Sequence, residues 1–441
     1  MSSKILFSNA MLIDESISQV GSLLVNVDSG LIEKVIVSDM NAELPKDSNI
    51  KVIDCNGQTL MPAFIDMHVH FRDPGQTQKE DISSGLHAAV AGGYTTVVAM
   101  PNTTPVMSSI EDAQQNMKKA TLLDLADMYQ AVSITKNFEG KDTKHLDVLM
   151  PGEACKNEDL LKIPVISEDG HDVLSSNKML EGMQKAAKAG LIVACHCEDP
   201  QLVPLARKAR EAGNFSKAEQ ILQTAENTYT ERNIKLAKKA GCHIHICHIS
   251  TDLSVQAVRT AKKNAVCVTA EATPHHLGLT FEMSDIGHQL VNPPLRSEKD
   301  RMAVIEGLKD GTIDCIATDH APHTLNDKKN GACGFTGIEL SFAVCNTVLV
   351  KNKTEDVNKN KATFSLSDLS RLMSANPARI LGINKGQLKS GMIADFVLVN
   401  PDKSFVVDSS TFVSKGKYTP FNGRTLYGKV LQTWKFAKKV Y

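Results

Sequence analysis

His68 and His70 lie two residues apart in the run DMHVH. On a β-strand the two-residue side-chain period puts both imidazoles on one face, a geometry suited to chelating one cation. An H-x-H pair alone is weak evidence, because two ordinary strand histidines are commoner, but other apolar runs finish in the same way. His196 closes LIVACHCED, His248 closes CHIHICHIS and Asp319 closes DCIATDHAPH. Imidazoles joined by a carboxylate suit Zn²⁺, a borderline-soft cation that can keep a position open for water. Within CHIHICHIS, His243 and His245 begin the strand and are expected to point toward flanking helices as packing or surface residues. His320 is out of phase with Asp319. His275 and His276, at the end of VCVTAEATPHH, suit a structural hydrogen-bonding role as well as a functional one.

These residues need elements to carry them. Short apolar runs, many β-branched, alternate with amphipathic segments such as EDAQQNMKKATLLDLA and NKMLEGMQKAAKAG, the pattern of βα units and a parallel sheet. Eight strands are predicted, at 64 to 70, 94 to 102, 127 to 135, 163 to 170, 191 to 199, 242 to 250, 266 to 276 and 314 to 323. The fold class is therefore α/β, a (β/α)8 TIM-type barrel, whose strand C-termini mark the active-site face. In the fourth strand IPVISEDG presents Glu168 and Asp169 at that face, and either acid could bridge two cations or be a solvated loop charge. No lysine is placed to bridge as a carbamate, since Lys162 precedes the strand and belongs at the wrong end. The barrel is assigned to residues 61–387. Residues 1–60 and 388–441 alternate short apolar runs with turn signals and are expected to meet in one small β-sandwich.

Length and composition narrow the function. With 441 residues, 42% of them hydrophobic, the chain can bury a large core, which excludes a disordered or fibrous protein. Lys and Arg (49) balance Asp and Glu (50), so no net field favours nucleic acid or a membrane surface, and a small-molecule partner is expected. No run reaches the roughly 18 apolar residues of a spanning helix, and the first residues lack a signal-peptide pattern, so a cytoplasmic location is expected. Ten Cys scattered through apolar runs read as buried, reduced thiols with no catalytic duty.

The runs DMHVHFRDPG, MPNT, EDGH, CHCE, CHIST, TPHH, NPPLR and ATDHAPH, in that order, resemble class I bacterial dihydroorotases of the amidohydrolase superfamily. The tail GMIADFVLV through TPFNGRTLYGKV resembles that superfamily's C-terminal sandwich. The resemblance implies one or two Zn²⁺ per chain, with His68, His70 and Asp319 on the first, His196 and His248 on the second, and Asp169 bridging. It implies that Asp319 takes a proton from the attacking nucleophile and returns it to the departing ring nitrogen. The reaction implied is reversible hydrolysis of dihydroorotate to N-carbamoyl-L-aspartate in pyrimidine biosynthesis.

Arg72 offers a planar fork for the substrate carboxylate, its alternative being a salt bridge with Asp73 or Glu80. His70, Asn102, Asn292, His323 and the backbone at Gly334 match the remaining substrate positions. The family usually has Phe-Gly where this chain has Cys333 and Gly334, which alters one side-chain contact. The polar segment TLNDKKNGACG is expected to be a mobile loop over the mouth. A homodimer and association with an aspartate transcarbamoylase are admitted by the resemblance. Two other readings are an allantoinase or dihydropyrimidinase, disfavoured by Arg72 and the missing lysine, and an inactive scaffold for that transcarbamoylase, disfavoured by the filled ligand positions.

Overall fold

The computed structural model describes residues 3–37, 49–152, 161–283, 290–352 and 364–441. All eight predicted strands are present, shorter than the sequence pattern suggests. Phe64–Val69, Tyr94–Ala99 and Asp127–Gln130 form a three-stranded parallel sheet. Val132–Ser133, Val165–Ser167, Ile192–Cys195, His243–Ile246, Val268–Ala272 and Cys315–Ile316 follow as a six-stranded parallel sheet in chain order. Ala131 joins the two sheets, its N–H bonding the Ala99 carbonyl at 2.9 Å. At the other side Val69 bridges His320 in parallel, and the His70 N–H donates to the His320 carbonyl at 2.8 Å. Most of these strands are buried on both faces, which explains why they read as near-continuous apolar runs.

The helices between strands begin where side chains can satisfy their first N–H groups. Asp81 and Ser84 form a capping box before Ile82–Ala91, and Ser109, Thr251 and Ser297 cap Ile110–Leu123, Asp252–Lys263 and Glu298–Lys309. Gly190 and Gly241 end Ser176–Ala189 and Phe215–Ala240 at φ +66° and +68°, a left-handed turn that glycine adopts without a Cβ penalty.

The chain ends do meet. One eight-stranded sheet runs in the order Lys438–Lys439, Thr425–Lys435, Phe396–Val406, Thr59–Pro62, Lys4–Ile13, Ser18–Asn26, Leu31–Val37, with Ile50–Asp54 also paired to Lys4–Ile13. Phe7 packs edge-on against Phe396 and Trp434, ring centroids 4.7 and 4.8 Å away, so one aromatic cluster staples the two ends. Thr59–Pro62 straddles the boundary expected at residue 60. Lys162 donates to the Leu381 carbonyl, at the foot of the parallel strands as expected. Of the nine described cysteines none is in a disulfide and seven are buried. Cys267 is exposed, against expectation, and Cys333 is partly so.

Candidate metal centre and active site

Six side chains converge where the parallel strands end: His68, His70, Asp169, His196, His248 and Asp319, none more than 5% exposed. His68, His70 and Asp169 form one group of ligand atoms within 4.8 Å of one another, and Asp169, His196 and His248 form a second. Asp169 thus belongs to both, the position a bridging carboxylate must occupy. Asp319 Oδ1 lies 3.0 Å from His70 Nε2 and 3.7 Å from His68 Nε2. Two of the six sit at positive φ, His248 at +32° and Asp319 at +47°. Such conformations are unfavourable for non-glycine residues and persist where surrounding structure enforces them.

The protons of this cluster can be assigned from its hydrogen bonds. Glu271 Oε1 lies 2.7 Å from His68 Nδ1, so the ring donates there and its Nε2 faces Asp169 and Asp319. Asn102 repeats the device: its Oδ1 accepts from His70 Nδ1 at 2.8 Å, and its Nδ2 donates to Asp169 Oδ2 at 2.8 Å. Asp66 accepts from the backbone N–H of both His68 and Thr318, tying the first strand to the last beside Asp319.

Burial alone would raise the carboxyl pKa of Asp169, but the imidazoles of His68 and His196 outweigh it and hold the group well below its usual range. Burial would likewise lower His68, yet Glu271 and Asp169 on either side raise it well above 6.5, so this pocket demands positive charge. His68 Nε2 and Asp169 Oδ1 are both buried without a hydrogen-bond partner and face each other at 3.4 Å. Imidazole nitrogens and carboxylate oxygens around such a gap fit a divalent cation of the zinc type.

The other expected residues sort clearly. Glu168 turns away from the cluster and accepts the Thr135 backbone N–H and hydroxyl, burial pushing it up to about 7. His320 is buried beside Glu80, away from the ligands, and His276 bonds the Thr273 side chain and the Pro293 carbonyl. Asn292 Nδ2 reaches Glu198 Oε2 at 3.1 Å and lies 3.3 Å from His196 Nε2. Gly334 commits its N–H to the Leu290 carbonyl and its own carbonyl to Lys328.

Arg72 is 9% exposed and contacts His323 Nε2 at 3.2 Å, rather than Asp73 or Glu80. It stands beyond the strand at φ +60°, so a turn and not strand phase delivers it. Its Nε is buried without a partner. Burial lowers the guanidinium pKa against the pull of Asp319 and Asp169.

One expectation needs correction. His245 does not point toward the helices: it is 1% exposed, and its Nε2 donates to Glu271 Oε2 at 3.1 Å, on the other oxygen of the acid that holds His68. Ile244 and Ile246, on the opposite face, are buried in the large apolar cluster that also takes in Val255 and Val258 of the next helix. The strand stops at Ile246, and the turn through His248 resets the phase from which the opposite was inferred. Within TLNDKKNGACG, Thr324 and Asp327 cap a short helix, Leu325–Lys329. Glu271, Asp66 and Glu198 were not singled out from sequence, although Glu198 stands in the CHCE run.

Residues 59–440 match the amidohydrolase family. The chain belongs to that family. This amidohydrolase is 43% identical over 410 residues to a dihydroorotase of Clostridium botulinum (strain Eklund 17B / Type B), covering 93% of this chain and 94% of that one. It is 39% identical over 409 residues to a dihydroorotase of Bacillus subtilis (strain 168), covering 90% and 91%. Among solved structures it resembles an L-hydantoinase (dihydropyrimidinase) from Arthrobacter aurescens, with TM-score 0.84 at 24% identity over 99% of this chain and 95% of that one. A dihydropyrimidinase from Brevibacillus agri superposes with TM-score 0.80 at 21% identity, covering 99% and 94%. At these identities the structural likeness speaks for the fold alone. No helix among the described residues is long and apolar enough to cross a membrane.

Proposed function

We propose that this amidohydrolase is a zinc-dependent dihydroorotase, interconverting dihydroorotate and N-carbamoyl-L-aspartate. The observation that carries the reading is the buried guanidinium of Arg72, with Nε unpartnered, close enough to the ligand cluster to feel Asp169 and Asp319. A buried cation without a full set of acceptors calls for an anion, and a substrate carboxylate supplies two oxygens in the plane of the fork. Dihydroorotate carries such a carboxylate; dihydrouracil and allantoin do not. Identity of 39 to 43% to proteins called dihydroorotases supports the same choice.

The fold proposal is that the two parallel sheets close as a (β/α)8 barrel spanning 61–387, through Ala131 on one side and the Val69–His320 bridge on the other. Residues 1–60 and 388–441 complete a sandwich beside it. His68, His70 and Asp319 would hold one Zn²⁺, His196 and His248 a second, and Asp169 would bridge. Bound there, zinc supplies Lewis acidity, making water more acidic and a ring carbonyl more electrophilic.

The chain does the rest. Arg72, Asn102 and His323 orient the substrate by its carboxylate, while Asn292 faces the ring amide together with the Gly334 carbonyl, which keeps one lone pair beyond its bond to Lys328. Asp319 takes the proton of the attacking water. It returns that proton to the ring nitrogen as the bond between carbonyl carbon and nitrogen breaks, so one group serves as base and then acid. Run backwards, the same proton path closes the ring. A cytoplasmic location, a homodimer and association with an aspartate transcarbamoylase complete the proposal.

The test is parallel assay of dihydroorotate, allantoin and dihydrouracil with elemental analysis of the purified protein. Dihydroorotate should be the preferred substrate, and Arg72→Ala should raise its KM by about 10- to 100-fold, the worth of charge-assisted hydrogen bonds, at unchanged metal content. Faster turnover of either uncharged ring would sink the reading.

A further inference from the structure

Two segments wall the mouth around the ligand cluster. Residues 290–296 carry Asn292, and residues 323–335 carry His323, Cys333 and Gly334. Lys328, on the second segment, is 8% exposed although it comes from a run of polar residues, and its ammonium reaches across to the first. Its ammonium donates to three carbonyls, Leu290 at 2.8 Å, Ala332 at 2.7 Å and Gly334 at 2.9 Å, which uses every proton it has. The rings of Phe335 and Tyr418 cover it, with centroids 5.3 and 4.8 Å away. No carboxylate lies within ion-pair distance of it among the described residues. Burial brings its pKa down to about 8, so the charged form still prevails at neutral pH.

A buried, unpaired ammonium is costly unless its geometry is used, and here it is. The Leu290 carbonyl also accepts the Gly334 N–H at 3.0 Å, so the two walls meet at one oxygen shared by a backbone amide and Lys328. Gly334 sits at φ +137°, and a Cβ there would come 2.6 Å from the Ala321 carbonyl oxygen, so this wall has no slack on its other side. We propose that Lys328 is the positioning residue that keeps both walls of the substrate pocket in register. Through the Leu290, Ala332 and Gly334 carbonyls it sets the distance between Asn292 on one wall and His323 and Gly334 on the other. A compact ammonium can serve three carbonyls converging on one point; a planar guanidinium cannot. The identity of the substrate rests on the dihydroorotase reading, but the frame itself does not.

The experiment uses the full-length, metal-loaded protein and its Lys328→Met and Lys328→Arg variants. Amide hydrogen exchange, followed by mass spectrometry without substrate, reads the frame; kcat and KM for dihydroorotate read its use. In Lys328→Met, exchange should rise in 290–296 and 323–335 together. The KM should rise by about tenfold with kcat within about threefold and metal content unchanged, because a ground-state contact and not the chemistry is lost. Lys328→Arg should restore charge without restoring KM. Faster exchange confined to 323–335, an unchanged KM in Lys328→Met, or full rescue by arginine would overturn the proposal. If Lys328→Met does not fold, Lys328→Arg decides alone: wild-type exchange and KM would overturn it. Absence of dihydroorotate turnover in the parent protein would refute the substrate assignment while leaving the exchange result to judge the frame.

Discussion

The ligand cluster and the substrate wall stand side by side but are held by different means. The cluster hangs from strand ends, and side chains from neighbouring strands aim its rings: Glu271 for His68, Asn102 for His70, Asp66 for the backbone of His68 and Thr318. The wall is made of connecting segments, and what aims it is backbone bonded to backbone, with one ammonium at the joint. The first arrangement fixes atoms to within a hydrogen bond in every direction, as a cation demands. The second tolerates sequence change along the wall so long as the carbonyls stay in place, as substrate choice within one family requires.

The largest effect should come from the acid shared by both ligand groups. Asp169→Asn removes charge from each group at once while keeping shape, and several kcal/mol of electrostatic stabilisation corresponds to a kcat loss on the order of 10³-fold. Elemental analysis should show bound metal reduced, and chelation of the parent protein should reproduce the loss. An Asp169→Asn variant with full activity would mean that the two groups are not joined through this residue. Glu271→Gln should come next. Its amide can still accept from one ring but brings no charge, so metal affinity should fall by about 10- to 100-fold. Competition with a chromogenic chelator measures this directly. If instead only KM moved, Glu271 would belong with the wall and not with the cluster, and the contrast between the two regions would fail.

What was legible in the sequence follows the same divide. Five of the six clustered side chains stood out because each is a chemically distinctive residue at the end of an apolar run, and strand C-termini share one face; Asp169 was separated from Glu168 only by the family resemblance. Lys162 could be sent to the far end by position alone. Partners across strands could not be read. That His245 meets Glu271 depends on the register pairing His245 with Thr269 and Ile246 with Ala270, which no single run contains. The placement of Arg72 could not be read either, because it depends on φ +60° after the strand has ended. Lys328 looked like one more solvated lysine in a polar run, since only the folded path of 290–296 brings carbonyls to it.

The smallest expected effect lies furthest down the chain of bonds beneath the cluster. Glu271 Oε2 accepts from His245 Nε2, which leaves His245 Nδ1 to accept from the Thr269 hydroxyl at 2.8 Å. That oxygen in turn accepts from His243 Nε2 at 2.8 Å, and burial lowers His243 to about 4. The links run from a fully buried carboxylate to a half-buried hydroxyl at the start of its strand, so solvent can replace what is lost at the lower end. Thr269→Val keeps the shape and β-propensity but removes the hydroxyl; it should cost about 1 kcal/mol of stability, read by denaturant titration. Metal affinity and kcat should each stay within about twofold, because His245 keeps its bond to Glu271. Should Thr269→Val weaken metal binding as much as Glu271→Gln does, the five groups from His68 to His243 act as a single unit. The rigidity of the cluster would then originate at the foot of the strands, where proton exchange with solvent is easiest, and not at the carboxylate beside the cation.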